Sequence, residues 1–268
     1  MQDLDGYEPL PDSGVEARAS ATIIVGRDGA AGLEVFMLER HLDSDFAGGA
    51  FVFPGGTLDD ADADAIGFLD GWRELARDMG EDPDTARAII VCAIRETFEE
   101  AGVLLARDQA GEPVRTNGER WSAWRAAVDA GKMSAVELAT EAGIRYSADE
   151  LRFWQRWVTP EYAPKRYDTR FFVAHLPQGQ EPSHDQVETT DSLWVEPAEA
   201  LERARAGGFQ IIFPTRKTLE GLASHRNADA LWDAAIGRRN DAVLPKVFVR
   251  GGEAKIQVPP DQTLHDPW

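Results

Sequence analysis

Three glutamates with helical spacing constrain this chain more than any other feature. Glu96, Glu99 and Glu100 occupy positions i, i+3 and i+4 within residues 93–103. On an α-helix their side chains would share one face, one turn apart. Two like charges roughly 4 Å apart repel by about 4 kcal/mol at an effective dielectric constant near 20. Such a helix needs a compensating charge, which Arg95 could supply for one carboxylate and a divalent cation for two or more.

The alternative is a solvated acidic helix face, which is the usual explanation of a generic E-x-x-E-E pattern. The neighbouring sequence argues against it, because Ile89, Ile90 and Phe98 give the same helix an apolar side. Gly102 suits the position just after a helix end, and residues 103–105 are predicted to resume as a strand. The carboxylates are therefore expected on a docked helix. Hard cations such as Mg²⁺ take oxygen ligands and keep several waters, which leaves room for substrate phosphates.

This stretch resembles the signature of the Nudix hydrolases, G-x5-E-x7-R-E-U-x-E-E-x-G-U, in which U is a bulky apolar residue. The matching positions are Arg95, Glu96, Glu99, Glu100, Gly102 and Val103. Gly56 would be the opening glycine, but it stands 39 positions before Arg95 (95 − 56) where the signature has 14, so an insertion of 25 residues is implied. Arg87 occupies the register of the first glutamate, and the carboxylate that usually partners Arg95 is not identified.

The order of elements favours an α/β fold, since strands, a glycine-rich loop, the acidic helix, further strands and a helix follow one another. The resemblance implies the Nudix α/β/α sandwich with a mixed sheet over residues 19–206, with helical insertions at about 57–83 and 108–150. Residues 1–18 are predicted as a polar tail and residues 207–268 as accessory C-terminal helices and a hairpin. The first insertion is expected to loop out without moving the acidic helix, and the second to form a lid or substrate-side cap.

Local patterns predict several of these elements directly. Apolar, β-branched runs at residues 20–26 and 33–38 predict buried strands. Ser134 and Glu137 fit a capping box at the start of a short helix within the second insertion. Near the C-terminus, residues 245–250 and 254–258 are predicted to form a closing hairpin.

A second pattern precedes the glutamates. Arg40, Gly49 and residues 53–56 (Phe-Pro-Gly-Gly) resemble the upstream pattern of coenzyme A diphosphatases, although Asp45 stands in the register of its second arginine. In isolation the glycine pair would indicate a simple turn, whereas the resemblance puts it beside the metal. Because an insertion also interrupts its signature, the chain is similar to one branch of the Nudix hydrolases, the coenzyme A diphosphatases of the peroxisomal Nudix nineteen type.

Two further stretches supply candidate site residues. The loop at 159–168 carries the adjacent cations Lys165 and Arg166, followed by Tyr167. It is either an ordinary exposed loop or a phosphate and nucleotide contact, and a similar segment in the same Nudix branch favours the second interpretation. Glu188, six positions before Trp194, is either a surface charge or the further carboxylate that Nudix hydrolases often carry there.

The resemblance implies hydrolysis of a diphosphate linked to another moiety, assisted by Mg²⁺ or Mn²⁺. The candidate metal ligands are Glu96, Glu99, Glu100 and the carbonyl of Gly56; the candidate substrate ligands are Arg40, Lys165, Arg166 and Tyr167. A bound cation would lower the pKa of a water and stabilise charge on phosphoryl oxygens. Glu96 or Glu188 would accept the proton of the water, and the sequence leaves that choice open.

The favoured substrate is coenzyme A or an acyl-coenzyme A, giving a phosphopantetheine product and 3′,5′-ADP. One alternative is another nucleoside diphosphate derivative, such as an ADP-sugar, NADH or a dinucleotide. The other is a non-catalytic Nudix-like binding or regulatory module. Loss of the signature glutamates would mark such a module, and this chain keeps Glu96, Glu99 and Glu100.

Composition limits the partners. The net charge of −19 argues against nonspecific nucleic-acid binding. No run of 18 apolar residues is present, so no membrane partner is expected. A single cysteine, Cys92, excludes an internal disulfide framework, and the polar, acidic start of the chain favours a cytoplasmic protein. A small-molecule substrate is expected, and a homodimer is left open.

Overall fold

The structure, a computed structural model, describes residues 6–42, 47–185, 188–259 and 264–266. The strands are β1 (Glu8–Pro9), β2 (Arg18–Asp28), β3 (Leu33–Arg40), β4 (Phe51–Val52), β5 (Gly55–Thr57), β6 (Leu69–Asp70), β7 (Ala106–Arg107), β8 (Arg145–Ser147), β9 (Arg152–Val158), β10 (Tyr167–His175), β11 (Thr189–Val195), β12 (Ala242–Val243), β13 (Lys246–Arg250), β14 (Glu253–Gln257) and β15 (Leu264–His265).

The helices are α1 (Asp60–Asp64), α2 (Trp72–Met79), α3 (Pro83–Ala101), α4 (Glu119–Asp129), α5 (Ala135–Ala142), α6 (Pro197–Arg205), α7 (Phe213–Leu222) and α8 (Ala228–Ala235), with short 3-10 turns at Ala65–Phe68 and Ala148–Glu150. Within the described ranges, no helix combines the length and the apolar character that crossing a membrane requires.

The central sheet has the strand order β11-β3-β2-β10-β9-β12, with β4 paired to β3 and β5 paired to β2. β2 and β10 run parallel, as do β9 and β12, whereas the other pairs are antiparallel. This mixed sheet, with helices packed on it, confirms the predicted α/β class. Two smaller sheets have the orders β1-β13-β14-β15 and β6-β8-β7.

Successive residues of the central strands point to opposite faces of the sheet and divide the core in two. Ile23 and Val25 of β2 pack into one core with the buried side of α3. Ile24, between them, belongs to a second core, which includes Leu219 of α7 and Leu231 of α8. Helices therefore cover both faces of the sheet, which is the predicted α/β/α sandwich.

The C-terminal region is part of this sandwich. Helices α7 and α8, predicted as accessory, supply buried side chains to the second core. The predicted closing hairpin is confirmed, since β13 and β14 pair antiparallel around Gly251 and Gly252, both with positive φ. The predicted polar tail contributes a strand, because β1 pairs with β13.

The acidic helix α3 has well-defined ends. The Asp82 carboxylate accepts hydrogen bonds from the N–H groups of Asp84 and Thr85, both at 3.1 Å, and Pro83 occupies the first turn, where its missing N–H does not matter. Gly102 ends the helix with φ of +69°, as the sequence predicts.

The predicted strand at residues 103–105 is wrong. Leu104 N donates to the side-chain oxygen Oε1 of Gln180 (2.9 Å), and Gln180 Nε2 donates to the carbonyl oxygens of Leu104 and Val114, both at 2.9 Å. Gln180 is only 3% exposed. The side-chain amide of Gln180 thus makes the hydrogen bonds to the Leu104 backbone that a neighbouring strand would make. The apolar pattern around Leu104 could not indicate this.

Replacing Gln180 with alanine is expected to lower the free energy of unfolding. Each buried backbone group left without a partner costs about 1–3 kcal/mol. Urea denaturation measures the change, and Gln178→Ala, at an exposed position in the same loop, serves as the control. Equal unfolding midpoints for the two variants would contradict the structural role given to Gln180.

Candidate active site

The three glutamates of α3 lie together, as their spacing predicts. The side chains of Glu96 and Glu99 are each 14% exposed, and Glu100 is 4% exposed. Arg95 Nη1 donates to Glu96 Oε1 at 2.9 Å and to Glu99 Oε1 at 3.1 Å. One guanidinium nitrogen therefore links two of the three carboxylates, both of them largely removed from water.

The partner of Arg95 is Asp62, which the sequence analysis did not select. Arg95 Nε donates to Asp62 Oδ1 at 2.7 Å, and Nη2 donates to Oδ2 at 2.9 Å. Such a two-point pair fixes the plane of the guanidinium as well as its position. Asp62 is fully buried in α1, and its Oδ2 also accepts from Asp59 N at 2.9 Å within a capping box.

Arg87, placed at the register of the first glutamate, takes no part in this pair. It forms a salt bridge with Asp84, and its guanidinium lies 4.9 Å from the centroid of a Trp72 ring. The signal for Asp62 was present, since it stands six positions after Gly56 (62 − 56), where G-x5-E has its glutamate. The gap in the signature thus follows Asp62. The match of Asp62 to the first glutamate of the signature was hidden for two reasons. The residue is an aspartate, and the gap was placed from residue 57 onward.

The segment at 57–83 does not loop out, which corrects the sequence prediction. Its first residue belongs to β5, which pairs with β2, and α1 packs against α3. Near its end, Glu81 forms a salt bridge with the buried Arg170 of β10 and lies 3.7 Å from Arg156 of β9. The segment is therefore held at both ends. It also supplies Asp62, which binds Arg95 beside the carboxylate cluster formed by Glu96, Glu99 and Glu100.

The glycine pair brings backbone into direct contact with the cluster. Gly55 N donates to Glu100 Oε2 at 2.8 Å. A Cβ atom at Gly56 would lie 2.4 Å from the Glu96 carboxylate carbon, and one at Gly55 would lie 2.3 Å from the Ala21 carbonyl oxygen. Only glycine permits this approach. The simple-turn alternative is wrong, because both residues belong to strand β5.

Burial dominates the electrostatics of the cluster. It raises the pKa of Glu96 to about 7, with the Arg95 charge opposing the rise, and it raises the pKa of Glu99. Burial also raises the pKa of Glu100 well above its ordinary value, and repulsion from Glu96 adds to the rise. For Arg95, burial is outweighed by Asp62 and Glu96, so its pKa is raised. Four carboxyl groups, those of Asp62, Glu96, Glu99 and Glu100, thus surround or adjoin the single positive charge of Arg95 or lie next to these partners.

The donor chemistry fits a hard divalent cation. The nearby side-chain groups carry carboxyl oxygens, the ligands that Mg²⁺ prefers. Among the residues that the structure describes, no three acidic, histidine or cysteine side chains already converge as ligands. The reason is visible at Glu96 and Glu99, whose carboxylates turn toward Arg95.

Arg40 and Glu188 both act on this cluster. The largest effects on the pKa of Glu100 are burial, the charge of Glu96 and the hydrogen bond from Gly55. Two smaller effects follow: the charge of Arg40 lowers this pKa, and the charge of Glu188 raises it. Glu188 is exposed just before β11, where its carbonyl accepts from His41 N at 2.9 Å. Arg40 Nε is buried, and no acceptor in the described part of the chain contacts it. Both predicted residues thus act on Glu100 through their charges.

The other substrate candidates lie further along the sheet. Arg166 donates from Nε to Thr159 O at 3.1 Å and from Nη1 to Val15 O at 2.7 Å, so the backbone holds its guanidinium. Lys165 is exposed, and Tyr167 begins β10 opposite Arg18. Their role in phosphate binding stays a prediction.

Sequence comparison matches residues 73–216 to the family profile described as the NUDT19 Nudix domain. Two curated relatives carry the name acyl-coenzyme A diphosphatase NUDT19. The Xenopus laevis protein is 27% identical over 210 residues, which cover 63% of this chain and 54% of that protein. The Homo sapiens protein is 26% identical over 246 residues, which cover 78% of this chain and 65% of that protein. The chain thus spans 54–65% of the length of these two relatives.

A solved structure shows the same architecture. The crystal structure of a NUDIX hydrolase from Alicyclobacillus acidocaldarius matches with a TM-score of 0.74 at 31% sequence identity, covering 82% of this chain and 97% of that chain. This similarity confirms the Nudix type of α/β/α sandwich.

Replacing Asp62 with asparagine is expected to destabilise the protein. Glu96 and Glu99 still neutralise Arg95 in this variant, so the loss is that of charged hydrogen bonds, about 1.5–3 kcal/mol, rather than of a whole buried ion pair. Chemical denaturation measures it. Asp64→Asn, on the exposed side of the same helix, should change stability by less than about 0.5 kcal/mol. An Asp62→Asn variant as stable as Asp64→Asn would contradict the role of Asp62.

Proposed function

The chain belongs to the NUDT19 Nudix domain family, and on this premise we propose that it hydrolyses a diphosphate linked to another moiety with the help of a divalent cation. The observation that carries the proposal is the cluster of Glu96, Glu99 and Glu100, buried against the backbone of Gly55 and Gly56. Burying carboxylates without equal positive charge is unfavourable. Loss of these glutamates would mark a non-catalytic module, and this chain keeps them.

We assign Glu96, Glu99 and Glu100 as the metal ligands, with the carbonyl of Gly56 as a further oxygen. Mg²⁺ is the expected ion and Mn²⁺ the alternative. When bound, such an ion lowers the pKa of a coordinated water and offsets negative charge on the phosphoryl oxygens. The protein's part is to hold the ligands: Asp62 fixes Arg95, and Gly55 N fixes one oxygen of Glu100.

In the proposed reaction, the oxygen of a water forms a new bond to one phosphorus, and the bond from that phosphorus to the bridging oxygen breaks. The proton of the water goes to a carboxylate of the protein. Two carboxylates are candidates for this role: Glu96, beside Gly56, and Glu188, whose charge acts on Glu100. Glu96 is bound to Arg95, whereas Glu188 is exposed just before β11.

The substrate we propose is coenzyme A or an acyl-coenzyme A, split into a phosphopantetheine product and 3′,5′-ADP. The names of the curated relatives support it. So does Arg40, whose charge acts on Glu100 and whose Nε has no hydrogen-bond acceptor within the described residues. The register of the second arginine, position 45, lies outside the described residues. Because the chain carries a net charge of −19, local cations must attract a substrate with several phosphates.

Replacing Glu99 or Glu100 with glutamine is expected to remove most metal-dependent turnover while the fold survives, because each change deletes a ligand charge at nearly constant volume. A metal contributes several kcal/mol to transition-state stabilisation, so kcat should fall about a hundred-fold or more. Steady-state assays with and without EDTA measure this, and Glu119→Gln, exposed on α4, is the control. Full turnover in well-folded Glu99→Gln and Glu100→Gln proteins would mean that these residues hold no catalytic metal.

Coenzyme A and its thioesters are expected to be the best substrates in a panel with ADP-ribose, NADH and a dinucleoside polyphosphate at equal concentration. Product analysis should show 3′,5′-ADP. Arg40→Ala should raise KM more than it lowers kcat, since a phosphate contact made alike in the ground and transition states affects binding alone. Arg239→Ala, at an exposed position, is the control.

The coenzyme A assignment fails if ADP-ribose or NADH exceeds coenzyme A and its thioesters by about ten-fold or more in kcat/KM. In that case the general diphosphatase proposal stands and the substrate class changes. If no diphosphate in the panel is hydrolysed with Mg²⁺ or Mn²⁺, the general proposal fails as well.

A further inference from the structure

The carboxyl end of α3 is held by a side chain from another helix. Arg125 of α4 donates from Nε to the carbonyl oxygen of Glu99 and from Nη2 to that of Glu100, both at 2.8 Å. The last carbonyls of a helix have no partner within it, and a cation at this end also complements the helix dipole. Arg125 thus binds the backbone of two residues whose side chains form the carboxylate cluster.

The same guanidinium reaches a third segment. Arg125 Nη2 donates to Ser183 O at 2.8 Å and Nη1 donates to Ser183 Oγ at 3.2 Å, while Ser183 N donates to Ala101 O at 3.0 Å. Two residues further on, Asp185 Oδ1 accepts from Glu188 N at 3.0 Å. Arg125 therefore connects the end of α3 with the segment that leads to Glu188.

The local sequence makes room for this arrangement. A Cβ atom at Gly102 would lie 3.0 Å from Arg125 Nη1, so the glycine that ends α3 also leaves space for the guanidinium. The bonds to three carbonyls and a hydroxyl come from one planar group, which the single ammonium of a lysine cannot reproduce. Trp121, also on α4, packs edge-on against Phe98 of α3 with ring centroids 6.1 Å apart. The helix therefore has an attachment to α3 that is independent of Arg125.

We propose that Arg125 is a positioning residue for the reaction. This inference rests on the proposed function. The Arg125 guanidinium holds the last turn of α3, with Glu99 and Glu100, at a fixed distance from Ser183 and the residues that lead to Glu188. Carboxylates from both segments can then face the same diphosphate. The hydrogen bonds of Arg125 go to backbone carbonyls and to the Ser183 hydroxyl. The α4–α5 insertion thus supports the helix that carries the cluster, and its role as a lid or substrate-side cap stays a prediction.

The test compares Arg125→Met, Arg125→Lys and the control Arg120→Met. Arg120 is exposed on the same helix and stacks 4.2 Å from a Trp124 ring centroid, so its loss reports general weakening of α4. For Arg125→Met, kcat should fall about 10–100-fold and the affinity for Mn²⁺ should fall with it, as for other residues that orient metal ligands. KM should stay within about three-fold, and Arg125→Lys should recover part of kcat.

Hydrogen exchange separates this inference from the proposed function, because it needs neither substrate nor metal. Arg125→Met should speed amide exchange at residues 99–102, 183–185 and 188–189, and Arg120→Met should not. If wild type hydrolyses no diphosphate, the proposed function fails, while the exchange data still decide whether Arg125 holds the two segments. The inference is overturned if Arg125→Met keeps wild-type exchange in both segments, or if it loses no more kcat than Arg120→Met. Arg125→Lys provides the same comparison should Arg125→Met fail to fold.

Discussion

The site depends on the hydrogen bonds that the Arg95 guanidinium makes to three carboxylates. It binds Asp62 through two hydrogen bonds and reaches Glu96 and Glu99 through its remaining terminal nitrogen. A buried charge is tolerated only when its partners are placed with good geometry. Because Asp62 belongs to α1 and Arg95 to α3, this pair fixes the position of the inserted segment at the same time as it orders two carboxylates.

The rest of the fold brings other segments to the same place. Strand β5 pairs with β2, and this pairing sets Gly55 and Gly56 against Glu100 and Glu96. The side chains of β2 alternate between two cores, so helices on both faces hold that strand. At the carboxyl end of α3, Arg125 and Ser183 satisfy the last carbonyls. The carboxylates thus project from a turn that is supported on several sides.

The sequence predicts those features that depend on near neighbours. The spacing of the glutamates, the glycine after α3, the Ser134–Glu137 capping box and the hairpin around Gly251 and Gly252 are all local, and the structure contains each. The order of strands and helices suits a sheet between helices, and the family resemblance implied the α/β/α sandwich that the structure shows. The family resemblance supplied the interpretation of the glutamates as metal ligands, which stays a proposal.

What the sequence did not reveal depends on contacts between distant residues. Asp62 lies 33 positions from Arg95, and the insertion hid its place in the signature. Gln180 replaces a strand for Leu104 across 76 positions, and Arg125 reaches the end of α3 from 26 positions away. In each case one polar side chain satisfies buried or terminal backbone groups or a buried charge. No hydrophobic period marks such a residue.

The central claim is that the α3 carboxylates form a divalent metal site. The most direct measurement is anomalous X-ray diffraction at the manganese edge from crystals soaked in Mn²⁺. The account predicts a peak bounded by the carboxylates of Glu96, Glu99 and Glu100 and the carbonyl of Gly56, with Glu99 turned from Arg95 toward the ion and Asp62 still bound to Arg95. Saturating Mn²⁺ that gives no peak there, with Arg95 still bound to Glu96 and Glu99, would contradict it.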